Sequence, residues 1–255
     1  MADLALYAAC VDRPFARSFL SSAPQQGGGD GHAGHNLTRG GIHRAGWPFI
    51  ATAVTVNAAG FALAGWLGWC LLPLTLWVTA FFRDPERTPP TGENLVLSPA
   101  DGWLLPVVMA LPPPELGLGS EPRLRLSVFM TIFNVHVNRI PCDGIVTALA
   151  YRPGKFFNAS FDKASVDNER MSIRMQAKIP GGETMELVVV QIAGLIARRI
   201  QCGLQEGQNV CRGDRFGIIR FGSRLEVFLP PGSRVVVRAG QAVRAGETIL
   251  AEFPS

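Results

Sequence analysis

Between Trp47 and Phe82 the chain carries no charged residue, an apolar stretch of about 36 residues. One helical span of a bilayer takes ~20 residues, so the stretch is too long for one span and just enough for two short ones. Asn57, Gly60, Gly65 and Gly68 lie mid-segment, and Pro73 interrupts the second half. Two arrangements fit: a helical hairpin that returns to its starting side, or one tilted span with an interfacial extension. Arg39, His43 and Arg44 precede the stretch, and Arg83 and Arg87 follow it. Positive charge on both flanks places both ends on the cytoplasmic side, which favours the hairpin. Trp47, Trp66, Trp69, Trp77, Phe81 and Phe82 suit interfacial anchoring. The competing arrangement is a buried core hairpin of a soluble protein.

The stretch divides the chain into a tail (1–46), a membrane hairpin (47–82) and a third part (83–255). The tail is expected to be disordered, because its Gly-rich run from Gln25 to His35 has almost nothing to bury. That run lacks a following Gly-Lys-Ser/Thr, so it is no phosphate loop. Asp3, Asp12 and Arg13 interrupt any signal-peptide core. The net charge of +4 over 255 residues is a mild basic excess that suits an anionic membrane surface. No basic run interleaved with aromatics argues for a nucleic-acid groove. The five cysteines are scattered without a C-x-x-C pair, which points to neither a zinc ribbon nor a disulfide framework. A reducing compartment and no metal site are expected.

After Arg83 the texture changes to short runs rich in Val, Leu and Ile, broken by Pro-Gly, Asp-Gly and Gly-Gly turns. Strands are expected at 95–97, 103–108, 124–132, 145–151, 172–179, 185–192, 215–220, 224–229, 235–238 and 248–253. Short turns or helices are expected at 132–138 and 162–169. The part is therefore mostly β within an α+β chain, a barrel-like sandwich. Its closing stretch, 237–247, resembles lipoyl- and biotinyl-type β domains but lacks their central lysine.

Four clusters carry chemistry. They are Ser98-Pro99-Ala100-Asp101-Gly102, the segment Phe133 to Pro141 around His136, the charged run Lys163 to Arg170, and Phe221-Gly222-Ser223. His136 is the only histidine beyond residue 43, and imidazole titrates unaided near neutrality. A serine hydroxyl needs a base to take its proton, and the base works best when a carboxylate fixes its tautomer. Asp101, His136 and Ser223 thus form a candidate relay. No G-x-S-x-G elbow is present, which argues against an ordinary α/β-hydrolase. Glycine is out of place in the strand-like run 215–229, where it marks a bulge or a close backbone approach.

Phe-Phe-Arg-Asp-Pro-Glu-Arg (81–87), Ser-Pro-Ala-Asp-Gly (98–102), Phe-Asn-Val-His-Val-Asn-Arg (133–139), Pro-Gly-Lys-Phe (153–156), Asn-Glu-Arg (168–170) and Arg-Phe-Gly-Ser-Arg (220–224) occur in this order. From about Ile42 onward the chain resembles the phosphatidylserine decarboxylase proenzymes in their short bacterial and archaeal form. The resemblance implies self-cleavage between Gly222 and Ser223. Ser223 attacks the Gly222 carbonyl, and elimination then releases a large chain (1–222). Hydrolysis leaves a pyruvoyl group at the head of the small chain (223–255). That group is the covalent cofactor, and it forms a Schiff base with the serine amine of phosphatidylserine to yield phosphatidylethanolamine. The resemblance gives His136 and Asp101 roles in processing and catalysis, with His136 as the acid. It makes Lys163, Asn168, Glu169 and Arg170 candidates for binding substrate. Longer family members carry a second histidine three residues on, where this chain has Arg139.

The implied location is the cytoplasmic face of the cell membrane, since the substrate's acyl chains stay in the bilayer. Three alternatives are a non-catalytic membrane-anchored β-domain binding protein, a decarboxylase of a related archaetidyl-type phosphoserine lipid, and a serine hydrolase using Ser223 on another molecule. Oligomeric state, including a homo-oligomer, is left open.

Overall fold

A computed structural model of the chain describes residues 41–154, 168–179, 183–194, 200–220 and 222–254. The expected tail up to residue 40, Lys163, and all but the end of the expected 162–169 turn lie outside these residues. Residues 41–46, grouped above with the tail, are built into the fold as a two-residue strand and a 3-10 turn.

Two helices occupy the uncharged stretch, α1 (Trp47–Leu63) and α2 (Gly65–Phe81). They pack against each other as a hairpin. Close approach is possible because both faces carry glycine: a Cβ on Gly68 would sit inside the Phe61 ring, and one on Gly60 would meet Leu71 and the Gly68 backbone. Asn57, the polar residue inside α1, donates to the Gly68 carbonyl at 2.9 Å and is buried there. Its amide is thus satisfied between the helices rather than turned outward. Two short strands, β1 (Gly41–Ile42) and β2 (Arg83–Asp84), pair antiparallel and tie the two ends of the hairpin together. The His43 amide adds a bond to the Phe82 carbonyl at 2.8 Å. The two ends of the helix pair are therefore held side by side.

The rest is β structure. In chain order the strands are β3 (Leu95–Leu97), β4 (Gly102–Leu104), β5 (Val108–Ala110), β6 (Arg123–Met130), β7 (Val137–Arg139), β8 (Gly144–Arg152), β9 (Arg170–Lys178), β10 (Thr184–Ala193), β11 (Ile200–Cys202), β12 (Asn209–Val210), β13 (Arg215–Ile219), β14 (Ser223–Phe228), β15 (Arg234–Val235), β16 (Ala242–Val243) and β17 (Ile249–Glu252). The main sheet runs β12-β8-β9-β10-β14-β6-β4-β16, with β5 also on β6. Two small sheets, β11-β13-β7 and β15-β17-β3, complete the fold. Every pairing is antiparallel.

One core joins the sheets. Val96, Leu250 and Ala251 from one small sheet and Phe216 and Ile219 from the other pack with Leu126, Val128, Met175, Leu187 and Leu225 of the main sheet. Val188, Val190, Ile192 and Phe228 are buried on the opposite face, under Leu116. Burial on both faces explains why Leu187 to Val190 reads as an unbroken apolar run rather than an alternation. Cys70, Cys142 and Cys202 are free thiols. Cys211 is disulfide-bonded, against the expectation of a fully reduced chain.

Candidate active site

Gly222 enters β14 with φ +66°. A residue with a Cβ pays roughly 1–2 kcal/mol in that left-handed region. The glycine is therefore the sharp turn that starts the strand rather than a fault within it. Ser223 follows, fully buried, paired with Met130 of β6 and Ala193 of β10. Among the described residues its hydroxyl reaches the Met130 thioether sulfur alone, at 3.9 Å. Thioethers are weak acceptors, so the hydroxyl is held by almost nothing.

The Asn138 side-chain amide reaches the same sulfur at 3.9 Å, and its carbonyl oxygen accepts from Gln191 Nε2 at 2.8 Å. Both side chains are fully buried, and Gln191 Oε1 has no hydrogen-bond partner. Sequence reasoning missed this pair. The available signal was Gln191 itself, a lone amide in an apolar run, since a buried polar group needs a partner.

His136 is fully buried and stacks on Phe81, with centroids 4.2 Å apart. Nδ1 lies 2.9 Å from the Asn134 carbonyl oxygen. A carbonyl can only accept, so the proton sits on Nδ1 and the Nε2 lone pair is bare. Nε2 is buried with no partner among the described residues. Burial pushes this imidazole down to about 4, with the Asn134 carbonyl opposing and the Arg83 charge adding to the shift. The group is neutral at physiological pH.

That shift makes stability depend on pH. Between about 4 and 6.5 the unfolded chain binds more protons than the folded one. The contribution is complete above about pH 6.5 and is lost as pH falls toward about 4, roughly 3 kcal/mol in all. The urea midpoint is expected to drop across this window in the wild type and to drop less in His136→Gln.

Asp101, His136 and Ser223 are not hydrogen-bonded to one another. Both oxygens of Asp101 are engaged, one by Arg87 at 2.8 Å and the other by the Ala245 amide at 2.8 Å. The Asn134 carbonyl fixes the His136 tautomer in the place a relay carboxylate would hold. Asp101 instead anchors the 98–102 turn, whose Pro99 carbonyl accepts from the Arg139 amide at 2.9 Å.

The segment 81–87 ties these parts to the hairpin. Phe81 lies on His136. Arg83 donates to the Phe133 carbonyl at 2.6 Å. Arg87 also pairs with Glu247 at 3.1 Å. Asp84 is fully buried and accepts from Arg215 at 2.7 Å and Arg139 at 3.4 Å. Arg139 also donates to the Gly213 and Pro85 carbonyls at 2.8 Å each. Replacing Asp84 with alanine would leave the buried Arg139 guanidinium without its carboxylate and Arg215 with Glu86 alone. An expected loss of about 3–5 kcal/mol follows, read from the denaturant midpoint.

Asn168 donates to the Ala193 carbonyl at 2.8 Å, directly beside the Ala193–Ser223 pair. The Glu169 carbonyl accepts from the Ala193 amide at 3.0 Å. Arg170 is held by Glu115 through two bonds of 2.6 and 2.7 Å. Burial raises the Glu115 carboxyl, but bonds from Arg170, its own backbone and Ser172 bring it below its usual range.

The fold and site define a β-rich protein on an apolar helical hairpin, with a Gly-Ser step at the head of a buried strand and a buried, neutral imidazole. A family model described as phosphatidylserine decarboxylase matches residues 74–251. The chain is 53% identical over 218 residues to a phosphatidylserine decarboxylase proenzyme of Paramagnetospirillum magneticum, covering 84% of this chain and 88% of that one. Proenzymes of the same name from Cereibacter sphaeroides (51% over 214 residues, 84% of this chain, 90% of the relative) and Granulibacter bethesdensis (52% over 211 residues, 83% and 85%) are similarly close. The chain belongs to the phosphatidylserine decarboxylase family, and with it to the carboxy-lyases.

Proposed function

We propose that the chain decarboxylates phosphatidylserine to phosphatidylethanolamine after cutting itself between Gly222 and Ser223. The observation that carries the reading is the Gly222–Ser223 step, a left-handed glycine followed by a fully buried serine whose hydroxyl has only a sulfur for company among the described residues. Ser223 Oγ attacks the Gly222 carbonyl, giving an ester in place of the peptide bond. Elimination frees the large chain, 1–222, as a carboxylate. Water then displaces ammonia from the remaining dehydroalanine and leaves a pyruvoyl group on the small chain, 223–255.

Asn138, whose side-chain amide shares the Met130 contact with Ser223, is a donor suited to a small carbonyl group there, while Gln191 Oε1 and His136 Nε2 are acceptors that can take a proton. The pyruvoyl ketone supplies the electrophile that captures the substrate amine and takes up the electron pair left as carbon dioxide departs. His136 Nε2 accepts the Ser223 proton in the uncut chain. In the mature enzyme the same nitrogen is the proton donor to the substrate α-carbon, its pKa raised by the substrate's negative charge. Asp101 holds the 98–102 turn and the Arg87 clasp in place. Asn168 and Glu169 line the substrate site, and Arg170 braces it through Glu115.

The hairpin enters the cell membrane from its cytoplasmic face in this reading. Leu63, Trp66 and Trp69 at its tip are 80%, 69% and 67% exposed, which is costly in water and favourable in lipid. Counted with the preceding turn, Arg44–Leu63 is long and apolar enough to cross a membrane, and Gly65–Phe81 is a shorter apolar helix. Each 17-residue helix is ~26 Å long, close to the ~30 Å hydrocarbon thickness. Arg44 and Arg83 at the base face anionic headgroups. The part from residue 83 is a barrel-like, lipoyl-type sandwich in this reading, supported by the small sheets packed on the main one.

The test is carbon dioxide release from phosphatidylserine vesicles with and without phenylhydrazine, which captures ketones. Activity that the reagent abolishes is the expected result. Full activity in its presence would remove the pyruvoyl group from the account.

A further inference from the structure

Outside the helical hairpin, Ile132 and Phe133 are the one pair of adjacent large apolar residues left uncovered among the described residues, at 37% and 68% exposed. Single exposed apolar side chains are ordinary, but neighbours at a loop tip make a patch that marks a contact surface. The tip is a closed turn between β6 and β7. The Asn134 amide donates to the Thr131 carbonyl at 3.0 Å. Asn134 Oδ1 accepts from the Thr131 amide and from the Thr131 hydroxyl, at 2.8 Å each. The Phe133 amide donates to the Thr131 hydroxyl at 3.4 Å. These bonds fix Thr131 and Asn134 at the base of the turn and leave Ile132 and Phe133 as its two middle residues.

One guanidinium sets where the tip stands. Arg83 donates to the Ala80 carbonyl, in the last turn of α2, at 2.8 Å and to the Phe133 carbonyl at 2.6 Å. The tip is therefore one guanidinium away from the foot of the hairpin. Leu76, four residues before Ala80, is 60% exposed, so uncovered apolar surface runs along α2 to about a turn from that foot. We propose that the 131–134 turn is a second membrane contact. Ile132 and Phe133 enter the lipid at the boundary of headgroups and acyl chains, and Arg83 beside them faces anionic headgroups. The proposal rests on the membrane reading of the hairpin given above and adds to it a point of contact beside the site. A bilayer is favoured over a protein partner by the continuity with the hairpin and by the positive charge at its base.

The contact bears on the chemistry. Met130, the residue before the turn, is paired with Ser223 across β6 and β14. Asn134, the last residue of the turn, supplies the carbonyl that orients His136 at 2.9 Å. Phe133 is three residues before His136, so their Cα atoms are at most ~11 Å apart. A tip seated in the interface thus holds Ser223 and His136 close to the depth of the lipid headgroup.

Two variants of the full chain test it, each first checked by mass for cleavage. Phe133→Trp adds a reporter. In vesicles of phosphatidylserine and phosphatidylcholine, lipids brominated near the ester end of the acyl chain are expected to quench the added emission. Wild-type emission that brominated lipids quench, with added emission that they leave untouched, overturns the second contact and leaves the hairpin reading intact. Wild-type emission that they also leave untouched overturns the hairpin reading itself. Ile132→Ser/Phe133→Ser removes the apolar tip. The vesicle concentration giving half-maximal rate is expected to rise about tenfold, with kcat on saturating vesicles and kcat/KM on monomeric dihexanoyl phosphatidylserine each within about twofold of wild type. An equal loss on vesicles and on the monomeric lipid overturns the proposal, because the turn then acts within the site. Unchanged half-saturation overturns it too. A wild type that is dimeric in detergent beside a monomeric double variant identifies a second copy of the chain as the occupant of the tip and overturns the lipid assignment. If the double variant stays uncut, the Phe133→Trp measurement decides alone.

Discussion

Replacing Ser223 with alanine is expected to leave a single uncut chain of 27.5 kDa with no decarboxylation above the uncatalysed rate. The expected loss is at least about 10⁶-fold, the low end of what enzymes add to a spontaneous reaction. The size follows from the chemistry. Alanine has no oxygen to attack the Gly222 carbonyl, so neither the cut nor the ketone is made. No neighbouring side chain can substitute, because the electrophile has to arise at the head of β14. The fold is expected to survive. Among the described residues the Ser223 hydroxyl touches only the Met130 sulfur at 3.9 Å, and removing a buried hydroxyl that makes no strong bond changes stability by less than about 1 kcal/mol. A denaturing gel, a urea midpoint and carbon dioxide release, measured on one preparation, separate a chemical defect from a folding one.

Replacing His136 with alanine is expected to lower decarboxylation by about 10²–10⁴-fold, the usual contribution of a positioned acid or base. The imidazole is oriented by the Asn134 carbonyl and pinned against Phe81. Its bare Nε2 has no other duty among the described residues. Arg139 cannot share the work, since its guanidinium is bound to Asp84 and to two backbone carbonyls. His136→Gln serves as the partner variant, because it fills most of the same volume and keeps Phe81 covered. If both variants also stay uncut, the one imidazole serves maturation and catalysis alike. If they are cut yet inactive, maturation uses another base and His136 acts in catalysis alone.

Much of this was legible in the sequence. An uncharged stretch with basic flanks and mid-segment glycines reads as a hairpin, because charge and helix length alone restrict it. The long strands β6, β8, β9, β10 and β14 read as strands because their Val, Ile and Leu content is a local property. Of the shorter ones, β3, β13 and β17 also read as strands, but β7, β11, β12 and β16 did not. Residues 132–138 looked like a short turn or helix, and the last two of them enter β7 only because β13 pairs with it. Likewise β11, β12 and β16 are two- or three-residue strands that exist through their neighbours.

The site divides in the same way. The residue types at 101, 136 and 223 suggested a serine relay, yet composition cannot tell which carboxylate an arginine will claim. Arg87, 14 residues from Asp101, claims it, and a backbone carbonyl takes over the orienting of His136. As a unit, the 81–87 segment was legible only as a motif of the resemblance, with no structural role attached. Its charges fold back as a clasp on Asp101, Arg139 and Arg215, a tertiary fact with no local signature. Gly222 was the reverse case. A glycine out of place in a strand-like run marked the start of β14, and its positive φ explains why glycine is needed there.

The central claim is that Ser223 does not remain a serine in the working enzyme. Intact-mass measurement of purified, active protein tests it most directly. The account predicts two chains divided between Gly222 and Ser223, with the smaller one lacking a free amino terminus and carrying the mass of a pyruvoyl group. A single intact chain that retains Ser223 and still decarboxylates phosphatidylserine at full rate would contradict it.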